Sequence, residues 1–223
     1  MLVPHDTGVE DAAETQTYGY LSAFGSDGFT VAEGTSNGRY THYPSQTYLS
    51  FNWRAGTTSG IAGSPSITPS SYSFNATSGF SIIKYNGNYT SGATLPHGLG
   101  VAPKMMIVKN LDTGVSWGVY HKSIGATHYL YLDTTIAAVD ASTRWNDTDP
   151  GAQLFTIGNT DIVNTDADDY IAYCFAPVQG YSAMGSFVGN GNADGPFVYT
   201  GFRPAWLMIK NATAAGGAWH VYN

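Results

Sequence analysis

The sequence predicts an all-β protein built of antiparallel sandwich or jelly-roll-like repeat units, and three observations carry that expectation. Only 11% of the 223 residues are charged, while Gly, Ser, Thr, Asn and Tyr abound, a balance that suits short strands and polar turns better than surface helices. Short apolar or alternating runs recur between turn residues, as in sandwiches and jelly rolls. One phrase also occurs twice: "PKMMIVKNLDTGVSWGVYH" from Pro103 and "PAWLMIKNATAAGGAWHVYN" from Pro204.

Aligning Pro103 with Pro204 pairs Met105 with Trp206, Val108 with Ile209, Lys109 with Lys210 and Asn110 with Asn211. After one inserted residue, Trp117 pairs with Trp219 and Tyr120 with Tyr222. Each copy reads as a hairpin in which an apolar strand ends at Lys-Asn, a small polar loop follows and an aromatic strand returns. The tryptophans recur because both copies need the same core wedge. Upstream, "YNGN" from Tyr85 matches "GNGN" from Gly189, and both Asn-Gly pairs suit tight turns with positive φ. Further matches are "YLSFNWRAG" from Tyr48 with "YIAYCFAPV" from Tyr170, and "GFTV" from Gly28 with "LFTI" from Leu154.

The repeats divide the chain. Residues 1–56 read as the closing half of a unit, 79–184 as a complete unit and 185–223 as the opening part of another. Two arrangements stay open: a stretch of a longer tandem array, or a domain in which 185–223 pairs with 1–56. Units of about a hundred residues are domain-sized and can each hold a core. Segment 57–78, rich in Gly, Ser and Pro, reads as a linker or as an edge strand carrying a proline.

Strands are expected at Gly28–Val31, Tyr48–Trp53, Phe80–Tyr85, Lys104–Val108, Trp117–Tyr120, His128–Leu132, Leu154–Ile157, Tyr170–Phe175, Ser186–Val188, Pro196–Tyr199, Trp206–Ile209 and Trp219–Tyr222. A helical turn is expected only within "TTIAAVDASTRW", residues 134–145, and in its Ala-containing counterpart "TGVEDAAETQTYGY", residues 7–20.

Composition excludes several classes of function. A net charge of −7 with nine basic residues leaves no stripe to neutralise phosphates, so neither nucleic acid nor an anionic membrane is an expected partner. The single cysteine, Cys174, lies in an apolar run and reads as a buried, inert thiol. No long apolar run or basic-then-apolar leader occurs, so the chain is expected to be soluble as written. Sequons at Asn75, Asn88, Asn146 and Asn211 are the chance product of an Asn- and Thr-rich chain.

Signals for chemistry are weak. The six histidines show no metal-type spacing, and no nucleophile elbow or phosphate loop follows a strand. "GNGNADG", residues 189–195, has no following helix to supply donors and reads as a turn. Asp161, Asp166, Asp168 and Asp169 crowd oxygen donors on one loop, the ligand type calcium takes. They lack the calcium-loop spacing, and the matching loop "EGTSNGRYTHYPSQTY" lacks the acids, so a solvated acidic turn competes. A glycosidase needs two facing carboxylates, yet Glu10, Glu14 and Glu33 all precede the complete unit and no aspartate pair stands out. The expectation is no catalysis and no cofactor other than a calcium ion. Aromatics reach 14% of residues, and among those outside the repeats Tyr43, Tyr89 and Trp145 are the candidate sugar platforms near loops.

From about Tyr18 to Asn223, and most specifically over Pro96–Asn110 and Gly189–Lys210, the chain resembles a repeat-domain family of large virion structural proteins of tailed bacteriophages, mostly marine, often found beside concanavalin-A-like domains. The resemblance implies a tail fibre or capsid fibre, hence homo-oligomeric contacts, other virion proteins as partners and a host-surface glycan as ligand. It implies no catalytic residue. A different class, a stand-alone lectin-like module that binds carbohydrate with calcium, is the alternative.

Overall fold

The structure, a computed structural model, describes residues 2, 4–10 and 17–223. Contacts gather the chain into two compact units, one comprising Gly8–Asn52 and the other Pro4–Thr7 with Trp53–Asn223. In the first, β1 (Tyr20–Phe24) and β2 (Phe29–Ala32) form an antiparallel hairpin whose register slips between Leu21 and Ala23, the mark of a bulge. Arg39 lies over the Tyr18 and Tyr40 rings, at 5.2 and 5.3 Å from their centroids.

The second unit is dominated by one sheet. Its strands are β3 (Ser71–Asn75), β4 (Phe80–Asn86), β6 (Met105–Asn110), β7 (Gly118–His121), β8 (His128–Tyr131), β9 (Val139–Asp140) and β11 (Asp169–Phe175). Their order is β3-β4-β11-β6-β7-β8-β9, antiparallel throughout. A separate two-stranded sheet joins β5 (Ala93–Pro96) to β10 (Leu154–Ile157). Ala93, Leu95, Phe155 and Ile157 from it enter the same core as Ile83, Met106, Val108, Ala172 and Cys174 from the large sheet. The all-β expectation therefore holds, with two sheets closing one interior.

Sequence dictates why β11 is central. Its side chains alternate, with Tyr170, Ala172 and Cys174 fully buried and Ile171, Tyr173 and Phe175 half-buried, so one face enters the core while both edges carry ladders. Burial raises the Cys174 thiol far above its ordinary value, as expected of an inert structural cysteine. Tyr170 stacks on Tyr85 at 5.2 Å, and the Tyr85 hydroxyl donates to the Val163 carbonyl at 2.7 Å. Within segment 57–78, Ser71–Asn75 takes an edge of the sheet as β3, two residues after Pro69, where a missing N–H costs no ladder bond.

The expected helical turn is α1 (Ser142–Trp145), closed by Asn146 in the left-handed region at φ 51°. Of the other one expected, within residues 7–20, Thr17 and Tyr18 are helical, residues 7–10 are not, and residues 11–16 lie outside the described residues. Gly87 in the "YNGN" turn has no positive φ. Glycine is needed there because a Cβ would stand 2.0 Å from the Thr165 carbonyl oxygen. In the second copy Gly191 does adopt φ 69°.

Three expected strands do not form. Tyr48–Trp53, Ser186–Val188 and Pro196–Tyr199 carry no ladder, although the matching segments of the complete unit are β11, part of β4 and β5. Alternation alone does not make a strand, because the extended backbone also needs a neighbour's hydrogen bonds. The second hairpin does form, from β12 (Leu207–Ile209) and β13 (His220–Tyr222), as an isolated ribbon. Among the described residues no helix is long and apolar enough to cross a membrane.

Candidate functional site

The densest polar construction in the complete unit sits where β6 ends. Lys109 is fully buried, and its ammonium donates to the carbonyls of Asn110 at 2.7 Å, Val115 at 3.1 Å, Thr7 at 3.2 Å and Thr113 at 3.4 Å. Its cage is made of backbone oxygens, with Asp133 and Asp6 acting only as surrounding negative charge. Desolvation dominates, so the Lys109 pKa falls below the ordinary lysine value despite those aspartates. Next to it, Asn110 Oδ1 accepts from the backbone N–H of Asp112 and Thr113 at 2.9 and 2.8 Å, fixing the loop as an Asx turn. Asn110 Nδ2 faces Asp168 Oδ2, the Tyr170 hydroxyl and the Asp161 carbonyl at 2.8 to 3.0 Å.

Across the hairpin, the Trp117 indole donates to the Asp6 carbonyl at 3.0 Å, so Lys109 and Trp117 together grip two consecutive carbonyls of the strap Pro4–Thr7. The second copy repeats the turn and sets its lysine and indole on other carbonyls. Lys210 donates to the Gly217 carbonyl, Asn211 Oδ1 accepts from Thr213 and Ala214 N–H at 3.0 Å, and the Trp219 indole donates to the Tyr131 carbonyl at 2.9 Å. Two backbone bonds, Ala138 N–H to the Ala212 carbonyl and Gly216 N–H to the Thr135 carbonyl, both 2.9 Å, tie the same hairpin to the segment after β8. That segment, "LDTT" from Leu132, matches "HDTG" from His5 in the first strap. Each hairpin therefore holds an Asp-Thr strap through main-chain oxygens. The tryptophans are thus more than core wedges: Trp117, buried, spends its N–H on the strap, and Trp219, half-buried, spends its own on the last residue of β8.

The acidic residues are dispersed. Asp168 accepts from Asn110 and Thr113, Asp169 pairs with Lys84 at 2.9 Å, and Asp161 contributes its main-chain carbonyl while its side chain and that of Asp166 lie exposed. Among the described residues no group of three or more His, Cys, Asp or Glu is placed to hold a metal.

The aromatic candidates separate. Trp145 is fully buried in the core and meets Tyr120 edge to face at 6.0 Å, because α1 turns it inward, so it is no surface platform. Tyr89 is exposed beside a loop at φ 54°. Tyr43 is exposed and, with Asn37, Arg39, Gln46, Thr47 and Tyr48, lines an open depression of about 510 Å³. There the Tyr48 hydroxyl donates to the Arg39 carbonyl at 2.8 Å and accepts from the Tyr43 N–H at 3.0 Å.

A family model described as a domain of unknown function (DUF7483) matches residues 2–223. The chain belongs to the DUF7483 family. No curated protein and no solved structure matches it. Two further polar centres of this DUF7483 chain carried little sequence signal. His97 is buried, with Nε2 on the Gly151 carbonyl at 3.1 Å and Nδ1 accepting from Leu99 N–H at 3.3 Å, and burial lowers its pKa. Asn164, also buried, reaches Gly158, Thr90 and Asn88 from one amide. An isolated His or Asn between apolar neighbours looks the same in sequence whether it is exposed or walled in. Only Lys-Asn announced itself, by recurring.

Proposed function

We propose that this chain is a non-enzymatic structural domain of a tailed-bacteriophage virion, part of a tail fibre or capsid fibre. Its tandem β-sandwich repeats build the shaft, and exposed loops meet a host-surface glycan. The observation that carries this reading is the repeated joint: two hairpins of the same phrase each meet a strap of similar sequence through bonds to main-chain oxygens, from Lys109 and Trp117 in the first and from the Gly216 backbone in the second. A device that reads backbone tolerates sequence drift while keeping successive repeats in step, which suits a shaft. The buried polar groups Lys109, Asn110, His97 and Asn164 are committed to main-chain and loop bonds, the use a scaffold makes of them.

Electron microscopy of purified virions labelled with antibody against the domain tests the proposal. Label at fixed positions along an appendage is expected, and virions whose proteins, by mass spectrometry, do not include the domain would refute it. A second reading, a lectin-like module, is favoured by the depression around Tyr43, where a ring face, two amides and a guanidinium adjoin. Calcium has no gathered acidic cluster to occupy among the described residues. Glycan arrays probed with the wild-type chain and with Tyr43→Ala, each with and without chelator, separate the two: binding lost on substitution but indifferent to chelator points to this depression.

A further inference from the structure

An Asn-Gly pair closes on itself more readily than other asparagine pairs, because glycine places no side chain over the backbone nitrogen that must attack the asparagine amide. The pair occurs three times in this chain, at Asn37, Asn86 and Asn190. The fold puts the three in unlike surroundings.

Asn86 and Asn190 hold the same place in the repeated phrase, "YNGN" against "GNGN", yet only the first is built into a ladder. Asn86 ends β4 opposite Asp169, and its Nδ2 donates to the Ala167 carbonyl and to Asp169 Oδ1 at 3.0 and 3.2 Å. Gly87 is buried, and its N–H donates to the Asp168 carbonyl at 2.8 Å. The attacking nitrogen is therefore shut away from any base that would remove its proton, and the asparagine is held extended, unable to fold its amide back onto the chain. Asn37 is anchored on several sides. Its N–H donates to the Thr17 carbonyl at 3.2 Å, its carbonyl accepts from Gly34 N–H at 3.2 Å, its Oδ1 accepts from Arg39 N–H at 3.0 Å, and Gly38 is buried.

Asn190 differs on each count. Residues 185–199 are exposed throughout and belong to no strand. Gly191 has open space where a Cβ would stand, and among the described residues its N–H meets no acceptor. The bonds of the Asn190 side chain stay inside its own turn: Nδ2 donates to the Asp194 carbonyl at 2.9 Å, and Oδ1 accepts from Asn192 N–H at 3.1 Å. Exposed bonds of this kind open and reclose freely. The second of them also assists the chemistry, since a donor on Oδ1 stabilises the charge that attack at Cγ puts on that oxygen.

We propose that Asn190–Gly191 is a site of spontaneous modification, at which the side-chain amide is lost through a succinimide. Hydroxide takes the Gly191 amide proton, and the nitrogen attacks Asn190 Cγ. As the N–Cγ bond forms, the carbonyl electrons move onto Oδ1. Their return breaks the Cγ–Nδ2 bond, and Nδ2 leaves as ammonia with a proton from water, which regenerates hydroxide. Water then opens the ring at either carbonyl to give isoaspartate or aspartate, so one water is consumed for each ammonia released. The product adds a carboxylate to the exposed stretch that carries Val188, Phe197 and Tyr199. The chemistry needs only this chain and water, so it holds whatever the origin of the protein.

Peptide mapping by mass spectrometry of the full chain, aged in mildly alkaline buffer made with heavy-oxygen water, tests this, because the label marks conversion that occurs during ageing. Asn190 is expected to convert about ten times faster than Asn37 or Asn86, with isoaspartate and aspartate both formed. In urea, where the fold shields none of them, the three rates should fall within about a factor of three. Three results would each overturn the proposal: a folded chain in which Asn190 is as slow as Asn86, a product that is aspartate alone, or rates in urea that keep the folded order. None of them touches the particle microscopy, so the two ideas fail separately.

Discussion

The two Lys-Asn-Trp hairpins share a phrase and part company in everything that surrounds it. The first is built into a seven-stranded sheet and hides Val108, Val119 and Tyr120 completely. The second is a lone ribbon with Leu207, Val221 and Tyr222 exposed. Yet the Asx turn and the bond from the lysine to a carbonyl of its own loop are present in both. Loop chemistry is therefore set by neighbours within a few residues, while sheet membership is set by a strand some sixty positions away on the chain, β11 in the first case.

The sharpest way to break this comparison is to truncate both tryptophans. Trp117→Ala removes a buried ring and the strap bond, and is expected to cost about 3–5 kcal/mol in urea unfolding. Trp219→Ala, at a half-exposed site, is expected to cost about 1 kcal/mol. Equal losses would mean that the second hairpin is as deeply embedded as the first. Asn110→Ala comes next. It strips the turn and leaves the buried Tyr170 and the half-buried Asp168 without that partner, for about 2–3 kcal/mol, against about 1 kcal/mol for Asn211→Ala, which forfeits the turn alone.

The same division explains what could be read from the sequence. Strands of the complete unit were legible because alternation and turn residues agreed with the ladder that formed: Leu154–Ile157 was expected and found residue for residue, and Tyr170–Phe175 gained only Asp169. Tyr48–Trp53 alternates equally well and formed nothing, since periodicity records which face wants burial and not whether a neighbour arrives. Trp145 was misplaced because one short helical turn decides which way a ring points, and four residues carry too little pattern to reveal it. Of the site, the lysine and asparagine were marked by recurrence, but nothing local foretold that Lys109 would reach the Thr7 carbonyl of a strap about a hundred positions earlier.

A third way to sharpen the comparison uses pH. Burial lowers the pKa of His97, so the folded chain holds it neutral while the unfolded chain takes up a proton below the ordinary value of 6.5. Stability is then flat above that value and falls as pH drops beneath it, by at most about 1.4 kcal/mol per pH unit for one group. His121, lowered by burial and by Lys104, adds a slope of the same sign. The second copy has Thr200 where the first has His97, so the acid sensitivity belongs to the complete unit. Urea midpoints at about pH 7 and about pH 5 should diverge for wild type and lie closer for His97→Gln, which keeps a donor toward Gly151.

The smallest effect concerns the seam between β4 and β11. Lys84 and Asp169 approach to 2.9 Å, with both side chains more than a third exposed. The lysine hydrogen bond, then that of Asn86, holds the Asp169 pKa below the ordinary 3.8, so the pair contributes above that value and is lost as pH falls through the depressed one. Solvent screening limits it: Lys84→Met is expected to cost about 0.2–1 kcal/mol at neutral pH, less in high salt, and progressively less as pH falls below 3.8 and through the depressed value. The second copy replaces Lys84 with Val188, an apolar residue at an exposed position. If the methionine variant is as stable as wild type and no less soluble, the lysine is dispensable where β11 covers the neighbouring rows. A marked loss of solubility would instead assign Lys84 the task of keeping that face from pairing with other chains, the task that Val188 leaves undone.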